Sequence, residues 1–297
     1  MDEKLDYAAR ERLLIIHADD FGLTRGANEA ILHSFQRGTI TSASIMMPCA
    51  AASEAVRLSI QNRIDDIGIH LTLTSDENRA YRPVCQKYAL PSLTTSEGCF
   101  HQRLSDLELC ADPEEVRIEL EAQIQQAVSW GLIPTHLDSH AGSLMGLASG
   151  RDFLEITIDL CEQFELPLNL PKRIVEQDCF DQAQKLRFQQ RLDSASSRGV
   201  LLIDDLVSLP YCFHPLADYE RMKEQLARMI KRLKPGVTQL TVHPSLLTKE
   251  LMNITTCYRE RELEFRLLND PAIIDGFKRE SIQLITWKDM RDRQRRV

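Results

Sequence analysis

Two hydrophobic rhythms alternate along this chain. Leu13–His17 (LLIIH) is a short, unbroken apolar run, the mark of a strand covered on both faces. In GANEAILHSFQR (Gly26–Arg37), Ala27, Ala30, Ile31, Ser34 and Phe35 recur at helical spacing, and Gly38 stops the segment. Thr39–Met47 (TITSASIMM) reads as strand again, Ala50–Asn62 as a second amphipathic helix, and Asp66–Leu73 (DIGIHLTL) as a third strand. No hairpin signal separates these strands, so parallel pairing through crossover helices is expected.

Residues 75–112 break the rhythm with frequent Thr, Ser, Asn, Pro and Gly, and Ser92–His101 reads as a small hairpin or loop. A long insertion after a strand is where function tends to gather. Asp112 and Pro113 then open a helix running to Trp130 and closed by Gly131. Strand signals follow at Thr135–Ser139, Pro167–Leu170, Val200–Ile203, Thr238–Val242 and Ser281–Thr286. Helix signals cover Arg151–Phe164, Gln182–Ser197, Leu216–Leu233 and a last helix at Thr256–Leu268. About seven strands alternating with helices predict an α/β fold of the (β/α) barrel kind, closed or incomplete, as one domain over residues 1–297. An open doubly wound sheet is the alternative, because short strands do not reveal closure.

Composition narrows the partners. The 297 residues are 43% hydrophobic and 27% charged, ordinary for a globular chain, and the net charge is −8. Without a basic excess to neutralise phosphates, nucleic acid and anionic membrane surfaces are not expected as partners. The one basic cluster, Arg291 to Arg296, reads as a solvated tail. Eight cysteines are scattered with no C-x-x-C pair, which reads as reduced, mostly buried thiols. The N-terminus MDEKLDYAARERLLII lacks an apolar signal core, and no run nears the roughly 20 apolar residues of a membrane span. A cytoplasmic, soluble protein is the expectation.

The chemistry collects at the expected carboxyl ends of strands. HADDFG carries Asp19 and Asp20, GIHLTLT carries His70, HLDSH carries His136, Asp138 and His140, and VHPS carries His243. Two histidines and a carboxylate on strand ends are a common way to hold a catalytic divalent ion with open positions. Two adjacent aspartates can then divide the labour, one binding the ion and its neighbour acting as base on a water. Each element also has a plainer reading: an Asp pair as helix cap and turn, His70 as a core residue, His243 as a strand stop. HLDSH is the more specific sign, because His136, Asp138 and His140 share one face of an extended segment. By the same alternation His17 points away from Asp20 or lies in the core, while His33, His101 and His214 read as surface or loop residues.

HADDFGLTRGANEAI, GTITSASIMM, GIHLTLT, PTHLDSH, VHPS and the later RERELEFRLLNDP resemble, in order, the motifs of the YdjC-like carbohydrate deacetylases, which include chitooligosaccharide deacetylases. The resemblance spans essentially the whole chain. It implies a barrel-like fold, one divalent ion (Mg²⁺ or Zn²⁺), and hydrolysis of an N-acetyl group from an amino sugar or short chitin-like oligosaccharide. By the same resemblance Asp20, His70 and His140 are the metal ligands and Asp19 the general base. Asp138 orients a ligand imidazole, and His243 is the acid that protonates the leaving amine. A homodimer is a family-level expectation. The chain departs from the pattern where AGSLMG follows His140, where LPLNLP offers Asn169 with Lys172 and Arg173 beyond it, and where HPS replaces HPG. Two other readings compete: a sugar-binding protein with a degenerate metal site, and a metal-dependent sugar isomerase.

Overall fold

A computed structural model describes residues 11–211 and 218–296. Its strands are β1 (Arg12–Phe21), β2 (Ser42–Ile45), β3 (Ile67–Leu71), β4 (Leu137–Ser139), β5 (Asp205–Ser208), β6 (Gly236–Val242) and β7 (Gln283–Leu284). All pair in parallel in the order β4-β3-β2-β1-β6-β5, with β7 added against the start of β1. The two edges approach each other through single bridges: Leu137 to Leu168, and Leu168 to Leu202 just ahead of β5. The architecture is therefore an incomplete (β/α) barrel, its seam spanned by one residue where a full strand would stand.

Side-chain alternation explains the buried runs. Leu14, Ile16 and Ala18 of β1 join the large apolar cluster shared with the outer helices, whereas Leu13 and Ile15 join a smaller cluster with Ile203, Val237, Ile285, Trp287 and Met290. One face of the strand thus meets helices and the other lines the barrel. The helices follow the expected caps: Asp112 accepts hydrogen bonds from Glu114 N and Glu115 N at the start of Pro113–Ser129, and Gln182–Ser197 opens with a capping box at Asp181.

Several expectations are corrected. The strand expected at Val200–Ile203 forms its ladder at Asp205–Ser208, and Pro167–Leu170 contributes only its bridge at Leu168. Thr256–Leu268 is not the last helix, since Pro271–Arg279 and Trp287–Gln294 follow Tyr258–Leu268. Nor is the basic tail solvated throughout. Thr286 caps Trp287–Gln294 through a capping box, the Trp287 ring is fully buried, and Arg291 is buried with Nη1 donating to Pro134 O. The apolar surface of one tryptophan outweighs the charge density that made the segment look like a free end. Cys257 is disulfide-bonded, against the expectation of reduced thiols, while six others are free. His214, Cys212 and the first ten residues lie outside the described residues. Among the described residues no helix is long and apolar enough to cross a membrane.

Candidate metal centre

Regular pairing of β1 ends where the chemistry begins. His17 pairs with Ser42 and Ala18 with Ala43; the register then slips by one residue before Phe21 meets Ile45. Asp20 absorbs that β-bulge with a left-handed φ of +63°, which Asp tolerates better than most residues. Strict alternation would send Asp19 and Asp20 to opposite faces. The bulge turns both into one cleft. Gly22 completes the turn with φ +92°, and a Cβ there would sit 2.9 Å from Ala52 Cα, so a larger residue does not fit.

The cleft, of about 350 Å³, opens at the carboxyl ends of the strands and is lined by Asp19, Asp20, His70, His140, Tyr211 and His243 among others. Asp20 Oδ1 lies 3.4 Å from His70 Nε2 and 3.5 Å from His140 Nδ1. Asp19 Oδ2 lies 3.9 Å from His70 Nε2 and 3.8 Å from His243 Nε2. All five residues expected at the site meet there. The expected shared face of HLDSH holds only for His136 and Asp138, because β4 ends at Ser139 and His140 sits in a tight turn with Ala141 at φ +50°.

Beneath the cleft lies a buried polar layer. Asp138 Oδ1 accepts from His70 Nδ1 at 2.9 Å, and Asp138 Oδ2 accepts from Ser44 Oγ at 2.7 Å and faces His17 Nε2 at 3.1 Å. His17 is thus fully buried and turned toward the polar network on the aspartates' side, because strand alternation places it on the inward face that the bulge extends to Asp20. His136 is structural: its ring stacks on Trp287 at 4.6 Å and lies where a Cβ on Gly68 would stand.

The donor chemistry fits a divalent ion. The ligand atoms of Asp20, His70 and His140 lie within 4.8 Å of one another, and carboxylate with imidazole suits zinc or another first-row ion. Two overlapping groups, His17–His136–Asp138 and Asp19–His70–Asp138, have the same compactness. The first is sealed in the barrel, and the second uses Asp138, already hydrogen-bonded on both oxygens. Only the Asp20 set has every member on the cleft wall. Asp19 Oδ1 is buried with no hydrogen-bond partner, as expected of a group reserved for something else.

Sequence reasoning missed Arg261. It stands on Tyr258–Leu268, fully inside, and its Nη2 donates to Asp20 Oδ2 at 2.6 Å. On the same helix Glu264 Oε2 accepts from the His243 backbone N–H at 2.5 Å. The available signal was RERELEF itself, a helix so charged that its core-facing side must bury Glu260, Arg261 and Glu264. Tyr211 was missed as well; its ring tilts against His243 with centroids 4.5 Å apart.

The neighbouring aspartates are driven in opposite directions. Burial pushes the Asp19 carboxyl above its ordinary value, and its cationic neighbours, His70 first, only partly offset this. Burial acts on Asp20 too, but Arg261 and hydrogen bonds from His140 and His70 hold it well below the usual range. Burial lowers His70 and His140, yet the carboxylates facing them, Asp138 foremost for His70 and Asp20 for His140, raise both. Two carboxyls pushed apart in this way are suited to different roles: a permanently ionised anchor and a proton acceptor.

Comparison with known proteins finds relatives that match nearly the whole chain. A carbohydrate deacetylase from Thermoanaerobacter pseudethanolicus is 28% identical over 276 residues, covering 93% of this chain and 98% of that protein. A chitooligosaccharide deacetylase from Yersinia enterocolitica is 30% identical over 94% of this chain and 99% of that protein. A crystal structure from Enterococcus faecalis V583, named for cellobiose-phosphate cleavage, superposes with a TM-score of 0.76 at 25% identity, covering 94% of this chain and 99% of that one. The family model described as YdjC-like protein matches residues 13–279, and the chain belongs to that family.

Proposed function

We propose that this protein is a metal-dependent hydrolase that removes the N-acetyl group from an amino sugar or short chitin-like oligosaccharide. One observation carries the reading: Asp20, His70 and His140 converge on a single cleft, with Asp19 beside them and its Oδ1 making no hydrogen bond. The deacetylase relatives, matched over almost their whole length, support the substrate class.

Asp20, His70 and His140 hold the divalent ion, Zn²⁺ or Mg²⁺. When bound, the ion polarises the amide carbonyl and acidifies water as a Lewis acid. Asp19 takes the proton from the attacking water, a task its raised proton affinity favours. His243, across the cleft from Asp19, delivers a proton to the departing sugar nitrogen. Burial works against a proton on His243, but Glu264 and Asp19 raise its proton affinity above the ordinary value, which favours the acid role. Tyr211 packs on the His243 ring and fixes its plane toward the cleft.

Acetate release from N-acetylglucosamine, diacetylchitobiose and longer oligomers, with and without chelator, tests the reading. Release that stops with chelator and returns with added ion is expected. Binding of these sugars with no acetate formed, ion present, would overturn it in favour of a sugar-binding protein.

A further inference from the structure

Each of the three residues that would hold the ion is itself held by an ionic partner. Asp20 has Arg261, and His70 has Asp138. His140 has Asp76, whose Oδ1 lies 3.3 Å from Nε2, the ring nitrogen not facing Asp20. Arg261 and Asp138 come from the framework of helix and strand. Asp76 comes from the 75–112 insertion, which otherwise stands outside the barrel rhythm.

The insertion is built to hold that carboxylate in place. The Tyr81 hydroxyl donates to Asp76 Oδ2, and the Tyr81 ring is buried. Ser75 ties the segment down: its Oγ donates to Phe100 O at 2.8 Å and accepts from Tyr81 N at 3.0 Å, while its N–H donates to His101 O at 2.9 Å. Phe100 N donates to Tyr81 O at 2.8 Å. Asp76 therefore has one oxygen fixed by Tyr81 and the other presented to His140.

We propose that Asp76, clamped by Tyr81, is the positioning residue for His140. It accepts the proton on Nε2, which fixes the tautomer and leaves the Nδ1 lone pair facing the position shared with Asp20 and His70. The two imidazoles are then used in opposite senses. His70 gives its Nδ1 proton to Asp138 and offers Nε2; His140 gives its Nε2 proton to Asp76 and offers Nδ1. Carboxylates behind ligand imidazoles orient the ring and raise its basicity, and losing one typically weakens metal binding about 10–100-fold. The insertion thereby sets how tightly the barrel keeps its ion.

The inference rests on the metal reading above, so the test separates the two. Chelator-stripped protein is titrated with Co²⁺, following its visible absorption and competing with a chromophoric chelator for affinity. Asp76→Asn is expected to bind about 10–100-fold more weakly with altered Co²⁺ bands, and Tyr81→Phe severalfold more weakly. Glu77→Gln removes a charge from the same cleft wall without touching His140 and is expected to bind as the wild type does. Thermal unfolding of the metal-free variants checks that each is folded, and Tyr81→Phe keeps the test open should Asp76→Asn fail to fold. Wild-type affinity in Asp76→Asn and Tyr81→Phe, or an equal loss in Glu77→Gln, overturns the role of Asp76 alone. A wild-type protein that takes up no Co²⁺ overturns the metal reading itself.

Discussion

The barrel interior has two polar ends, and they differ in how completely their groups are satisfied. At the lower end the Trp287 N–H donates to Ser42 Oγ at 3.2 Å, the indole Nε1 donates to Gln239 Oε1 at 2.8 Å, and Ser42 Oγ donates to Asp66 Oδ1 at 2.5 Å. Asp66 also accepts from Lys288 N, tying the last helix under the strands. No side-chain atom of these four residues lacks a partner. At the upper end, Asp19 Oδ1, His17 Nδ1, His243 Nδ1, the Tyr211 hydroxyl and Arg261 Nε and Nη1 are buried without hydrogen-bond partners. Leaving such groups unpaired costs about 1–3 kcal/mol each. A fold that pairs the groups around Trp287 so much more fully than those around Asp19 has spent stability where chemistry takes place, although His136 Nε2, stacked above Trp287, is also without a hydrogen bond.

If that contrast is right, substitutions at the two ends part ways: upper ones strike activity, lower ones stability. Asp19→Asn comes first in size. It should keep its ion and lose activity by at least about 10²–10⁴-fold in kcat; an equal loss of bound metal would mean that Asp19 and Asp20 have exchanged roles. Trp287→Ala should cost about 3–5 kcal/mol in denaturant unfolding, while kcat/KM per folded molecule stays within a few-fold of wild type. A large drop in turnover of the folded fraction would show the ends to be coupled. Arg261→Met sharpens the comparison from above, since it leaves Asp20 a buried carboxylate without its cation, at about 3–5 kcal/mol. A divalent ion should restore part of that loss in the variant; equal destabilisation with and without ion would detach Arg261 from the site.

The smallest effect concerns pH. Burial raises the Asp66 carboxyl to about 6, while hydrogen bonds from Ser42 and Lys288 oppose the shift. Its folded value lies above its unfolded one, so this group's stabilisation is complete below about pH 4 and is lost as pH rises through 6. Asp66→Asn keeps the acceptor and removes the titration, so wild type should lose up to about 3 kcal/mol relative to the variant across that window. Parallel stability curves for the two proteins between pH 4 and 7 would refute this.

Much of the upper end is legible in the sequence because its residues stand where strands stop. DD, GIH, HLDSH and VHP each follow an apolar run, and parallel strands bring their carboxyl ends together. What the sequence hides are the partners that arrive from elsewhere. Arg261 is 241 positions from Asp20 on a helix whose charge suggests solvent. Asp76 sits in a segment without periodicity, so nothing local aims it at His140. The bulge at Asp20 is equally silent, because one extra residue in a strand changes facing but not composition. Trp287 at the lower end was masked by its neighbours: a lone aromatic before KDMRDRQRR reads as tail until the barrel offers it a hole.

The central claim is that Asp20, His70 and His140 share one divalent ion while Asp19 stays free. Titrating chelator-stripped protein with Zn²⁺, with elemental analysis after dialysis, tests it most directly across wild type, Asp19→Asn, His70→Ala and His140→Ala. One ion per chain is expected in wild type and Asp19→Asn, and none retained by either histidine variant. Full occupancy in both histidine variants would contradict it.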